Sequence, residues 1–113
     1  MLRDPAMSKQ RYELLVGLHV TDQEGYTRYR QEMKPMLDVH GGSFTYDFTI
    51  DQALVNCATH PINRLFVISF PSEDARKAFF NDPAYRQVRE TWFVPAVGGA
   101  TIISTWLTQA TGA

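Results

Sequence analysis

The sequence holds one cysteine, Cys57, no apolar run approaching the roughly 20 residues a membrane helix requires, and almost no net charge. A lone thiol excludes an internal disulfide and a zinc site built on cysteine pairs, and it accords with a reducing compartment. The short apolar runs exclude a membrane-spanning helix, and Met1 to Gln10 lacks the apolar stretch of a signal peptide, so a cytoplasmic protein is expected. Eleven basic side chains against twelve acidic ones give a formal charge of −1, which provides no field to hold nucleic acid or acidic lipid. A glycine-rich phosphate loop, a nucleophile elbow and paired metal-ligand spacing are all missing, so neither a cofactor nor a metal is expected.

What is present suits one compact domain. With 113 residues, 44% of them hydrophobic, the chain can build one core and has no room for two. The expected domain covers residues 11–107, between polar or small-residue tails at 1–10 and 108–113, with Met7 a second possible start.

Tyr12 to Val20 is rich in Leu and Val, too short for a helix of its own and broken by Gly17, and reads as a strand. Thr21 and Glu24 have the spacing of a capping box. From there Tyr26, Tyr29, Met33 and Leu37 recur at helical spacing until Gly41 and Gly42, with Pro35 expected to bend the helix without ending it. Ser43 to Asp51 alternates, which places Phe44, Tyr46, Phe48 and Ile50 on one face and Thr45, Asp47 and Thr49 on the other. After a loop containing Pro61, Leu65 to Phe70 reads as a strand buried on both faces. Ser72 and Asp82 each have the position of a helix N-cap, the first helix burying Ala75, Ala78 and Phe79 and the second Tyr85, Val88 and Trp92 before Pro95. A last strand is expected from about Thr101 to Leu107.

Right-handed crossovers applied to this order give an α+β fold, the ferredoxin-like split β-α-β sandwich: a four-stranded antiparallel sheet with the first and third strands central and all helices on one face. The first and third strands carry apolar residues on both sides, Leu15, Leu65 and Val67 among them. The helix-free face is therefore expected to be apolar and to be covered by a second copy of the chain, as an obligate homodimer.

Four segments resemble successive landmarks of the family called domain of unknown function 1330: Gly25 to Tyr29, His40-Gly41-Gly42, Arg64 to Ser72, and Phe79 to Tyr85. The resemblance implies a dimeric α/β barrel. That superfamily also holds cofactor-free antibiotic-type monooxygenases, muconolactone-type isomerases and haem-degrading relatives; it implies no assigned reaction. The excursion from Gln52 to Pro61 departs from the commonest family pattern.

Three polar residues are the candidates to reach a barrel cavity. Alternation places His19 beside Glu13, Leu15 and Gly17, opposite Leu14, Val16 and Leu18; as a catalytic base it would need Asp47 to hold its ring. Arg64, opening the third strand, is the candidate for binding a carboxylate or enolate through its planar fork. Each has a structural alternative: a strand-end histidine bonded to backbone or water, and an arginine held in a salt bridge. His40 at a helix end suits a capping role, and Cys57 has no basic neighbour in sequence to activate it. Two functional readings stay open: a small-molecule binder or enzyme with cofactor-free proton-transfer or monooxygenase-like chemistry, and a non-catalytic dimeric structural or regulatory module.

Overall fold

The structure, a computed structural model, describes residues 10–109. Strand β1 (Tyr12–Val20) is followed by helix α1 (Gln23–Val39), β2 (Ser43–Thr49), β3 (Arg64–Phe70), α2 (Glu73–Asn81), α3 (Pro83–Val88) and β4 (Val97–Leu107). The sheet order is β2-β3-β1-β4, with every pair antiparallel. This is the expected α+β ferredoxin-like arrangement with β1 and β3 central. Leu14, Val16, Leu18, Phe66, Ile68 and Phe70 of these strands pack beneath Tyr26, Tyr29, Met33 and Leu37 of α1 and Phe79 and Tyr85 of α2 and α3. No helix among the described residues is long and apolar enough to cross a membrane.

Helix α1 runs through Pro35 as one element. Its cap differs from the expected one: Asp22 accepts the Gly25 amide at 3.1 Å, because the Thr21 amide and hydroxyl both donate to Ala96 O. The helix ends in a Schellman motif, Gly42 N donating to Leu37 O and Gly41 N to Asp38 O, and Gly41 takes the φ of +74° that this closure requires. Ser72 and Asp82 cap α2 and α3 as expected, although Ala78 is exposed rather than buried. Past α3 the chain does not stop at Pro95. Arg89–Phe93 widens into a π-helical turn in which Val94 N bonds Arg89 O, and a last helical turn, Val94–Ala96, leads directly into β4. Pro95 has no amide to continue an α-helical ladder, which accounts for the change of winding.

The largest departure from the alternation pattern is in β2. A register shift between Phe44 and Tyr46 leaves Thr45 as an extra residue, so Phe44 pairs with Ile68 on the helix side while Tyr46 and Phe48 pair with Val67 and Leu65 on the other. Asp47, paired with Phe66, turns toward the helices. The four alternating positions therefore do not share a face. The excursion before β3 returns over the helix-free side, where Ile62 packs on Gly17 and the His60 ring lies against Gly99; a Cβ on either glycine would come within 2.8 Å of these side chains. Asn63 fixes this return by bonding both backbone groups of Val20 at 2.8 Å.

The expected N-terminal tail, apart from Gln10, and the start at Met7 lie outside the described residues. Of the expected C-terminal tail, Thr108 is tied to β1: its amide donates to Arg11 O and its hydroxyl accepts the Arg11 amide.

Candidate functional site

Side chains of directly paired residues share a sheet face, so the register settles whether the candidate residues meet. His19 pairs with Gly99 and belongs with Leu15 and Gly17 on the helix-free face. Asp47 and Arg64 lie on the helix side, paired with Phe66 and Leu18. The structure thus puts His19 and Asp47 on opposite faces and does not bring them together. The alternation in β1 and the bulge in β2 produce this separation.

Asp47 and Arg64 do meet, as partners of each other. Arg64 Nε and Nη2 donate to the two Asp47 oxygens at 2.8 and 2.9 Å, and Arg30 Nη2 from α1 adds a third bond at 2.8 Å. Arg30 also donates to Tyr26 Oη and lies over the Phe44 ring at 3.6 Å. Partial burial works against the Asp47 charge, but the bond from Arg64 and the field of Arg30 outweigh it and hold the carboxyl below its ordinary range; the same bond raises Arg64. Arg64's fork is therefore occupied by Asp47, and the cluster pins α1 to β2 and β3.

A carboxyl whose pKa is lowered on folding adds stability that is present above the unfolded value, about 4, and is lost as pH falls through the folded one. Asp47→Asn is expected to cost about 1–3 kcal/mol at pH 7 by urea denaturation, since two charged donors lose their ionised acceptor. That deficit should shrink toward pH 3, and an equal deficit at both pH values would assign the cost to packing.

Space for a ligand lies elsewhere on the helix side. A cavity of about 230 Å³ sits between the sheet and the helices, floored by Leu14, Val16, Leu18, Phe66 and Ile68, roofed by Tyr29, Met33, Phe80, Tyr85 and Phe93, and edged by the exposed Ala100 and Ile102 of β4. Its polar groups are two phenols and two guanidiniums, those of Arg76 and Arg89. Tyr29 and Tyr85 arrive from α1 and α3 with hydroxyl oxygens 2.7 Å apart. Whichever donates, the other keeps a proton with no acceptor among the described residues. Burial pushes both phenols above their ordinary pKa, Tyr29 furthest because its neighbour Tyr85 adds to the effect. At neutral pH they stay protonated: they can donate to an oxygen of a bound molecule or support charge developing on it, and they cannot abstract its proton.

His19, Asp47 and Arg64 do not line this cavity. Tyr29 and Tyr85 read in the sequence as core positions, and the available signal was that a buried phenol needs a partner for its hydroxyl. Arg76, four residues before Phe80 on the face that α2 buries, could have been placed by helical spacing. His40 ends α1 as expected, its Nε2 3.1 Å from Asp82 Oδ2 and its ring edge-on to Phe79. Cys57 is an exposed free thiol, and among the described residues no group of His, Cys, Asp and Glu has the geometry of a metal site.

The overall shape recurs in solved structures. The RPA0582 protein of Rhodopseudomonas palustris, of unknown function, is similar over 93% of this chain and 85% of its own, at 17% identity and a TM-score of 0.74. A hydroxynitrile lyase from Passiflora edulis matches over 94% of this chain and 99% of its own, at 12% identity and a TM-score of 0.62. A dabb family protein with a ferredoxin-like fold from Mesorhizobium loti matches over 92% and 100%, at 14% identity and a TM-score of 0.59. At these identities the likeness establishes the fold alone. No curated protein matches the chain. The family model described as Domain of unknown function (DUF1330) matches residues 13–103.

Proposed function

We propose, from the premise that this chain belongs to the DUF1330 family, that it binds a small, largely apolar organic molecule in the helix-side cavity. The observation that carries this reading is the Tyr29–Tyr85 pair, which brings a spare hydroxyl proton to a largely apolar space of about 230 Å³. For comparison, an apolar cavity of about 150 Å³ suffices to take up benzene. The phenols orient the ligand through one of its oxygens. Any reaction here would be polarisation of that oxygen, since no side chain lining the cavity titrates near neutral pH. The free thiol of Cys57 accords with a cytoplasmic setting.

The working unit we propose is a homodimer joined through the helix-free face. Tyr46 and Phe48, 61% and 51% exposed and stacked with ring centroids 6.1 Å apart, support this choice of interface.

Binding is tested by titrating the ¹⁵N-labelled protein with 4-methylphenol. Amide shifts are expected to concentrate on Tyr29, Tyr85 and the facing strands. Ile102→Trp, a change at a half-exposed position on the rim, is expected to plug the opening and abolish them. Tyr85→Phe should weaken binding about tenfold, the share of one hydrogen bond of about 1.4 kcal/mol. Shifts confined to the helix-free face, or binding indifferent to the plug, would overturn the reading.

A further inference from the structure

The polar groups at the cavity are unbalanced in charge. Arg76 and Arg89 line it and no acidic side chain does. Arg76 lies between the rings of Tyr12 and Phe80, 5.9 and 5.7 Å from their centroids. Among the described residues its buried Nε has no hydrogen-bond partner and its guanidinium makes no ion pair. A buried guanidinium N–H left unpaired costs free energy that native structures rarely tolerate without a ligand or water to receive it. Among the described residues Arg89 has one ion-pair partner, Glu90, at 4.0 Å on the open surface, and its guanidinium lies 5.1 Å from the Phe93 centroid. By contrast, Arg64 of β3 and Arg30 of α1 both donate to Asp47.

The geometry points to a carboxylate as the ligand's polar end: a single-ring or branched aliphatic monocarboxylic acid, its hydrocarbon against the sheet and its anion between Arg76 and Arg89. This rests on the cavity being the binding site and narrows what that site takes. A volume of about 230 Å³ admits one ring and a short acid arm and excludes fatty-acyl chains and dinucleotides. The hydrocarbon lining selects against small inorganic anions, which would lose hydration with nothing to replace it on the sheet side. The spare Tyr29–Tyr85 proton supplies a third donor to the same oxygens.

Phenylacetate and its neutral isostere phenylacetamide, compared by isothermal titration at pH 7, separate the two ideas. Phenylacetate is expected to bind at least tenfold more tightly. Arg89→Gln, at an exposed position that carries little folding risk, should reduce that preference severalfold. Arg76→Gln should erase most of it while leaving phenylacetamide within about twofold, and Arg76→Lys should restore part of it. Equal affinities for the acid and the amide, both abolished by Ile102→Trp, would overturn the carboxylate assignment and leave the cavity reading standing. Binding of neither probe would overturn both. A preference for the acid that survives both Arg→Gln changes would place the anion elsewhere and refute the inference.

Discussion

Phe79→Ala is expected to destabilise the fold by about 3–5 kcal/mol, the usual cost of truncating a fully buried aromatic. Phe79 is completely buried, with ring centroids 4.2 Å from Tyr85, 5.0 Å from Phe80 and 5.7 Å from Phe70. It joins α2 and α3 to the sheet at one point, and no neighbour is free to collapse into its space without leaving its own contacts. For a domain whose whole stability is of the order of 5–15 kcal/mol, the urea midpoint should fall by about a fifth or more. The functional consequence follows from the 4.2 Å contact. Tyr85 loses the ring that fixes it, its hydroxyl no longer meets Tyr29, and ligand affinity falls even where the variant remains folded. A loss below about 1 kcal/mol would show that the aromatic cluster is loosely packed and that Tyr85 is positioned by other contacts.

The sequence made most of this frame legible, because each element carries its own local signal. Tyr26, Tyr29, Met33 and Leu37 trace a helical stripe; Gly41-Gly42 closes it; Ser72, Asp82 and Pro83 mark helix starts; and Leu65 to Phe70 has the composition of a doubly buried strand. Element order with the handedness of crossovers then gives the sheet order. The site was less legible, since it depends on events with no local signature. One extra residue, Thr45, reverses the sides of Asp47 and Tyr46 relative to Phe44, and nothing in an alternating sequence announces a bulge. The opposition of Leu15 and His19 to Leu14 and Leu18 was readable; which face would enclose a cavity was not. The excursion before β3 likewise gave no hint that Ile62 and His60 would fold onto Gly17 and Gly99, although two glycines diagonal on adjacent strands mark a place where another chain segment can approach. Tyr29, Tyr85 and Arg76 are amphipathic residues on apolar stripes, and such residues look like core until their polar ends are placed.

The same bulge supplies the second large effect, which concerns the proposed homodimer. With continuous alternation Tyr46 and Phe48 would share the helix side with Phe44; the shift at Thr45 instead stands their rings on the helix-free face, beside Leu65, Val67 and Leu15. The remainder of that face is partly occupied from within the chain, by Ile62 over Gly17 and by His60, whose Nε2 lies 2.7 Å from Thr101 Oγ1. On this part of the face the open apolar area is that of β2, where two aromatic side chains stand more than half exposed. Aromatic residues in such positions usually carry the energy of a subunit interface, each worth about 2 kcal/mol or more when it is fully covered. Sedimentation of the wild-type protein at micromolar concentration is expected to give a dimer. Tyr46→Glu together with Phe48→Glu should raise the dissociation constant by at least about a hundredfold, because two anchors are lost and like charges gather on the interface. Both positions are solvent-facing within a single chain, so the variant should keep its far-UV circular dichroism and its cavity should still bind 4-methylphenol. A wild-type monomer at that concentration, or a dimer indifferent to both glutamates, would rule out this face as the interface.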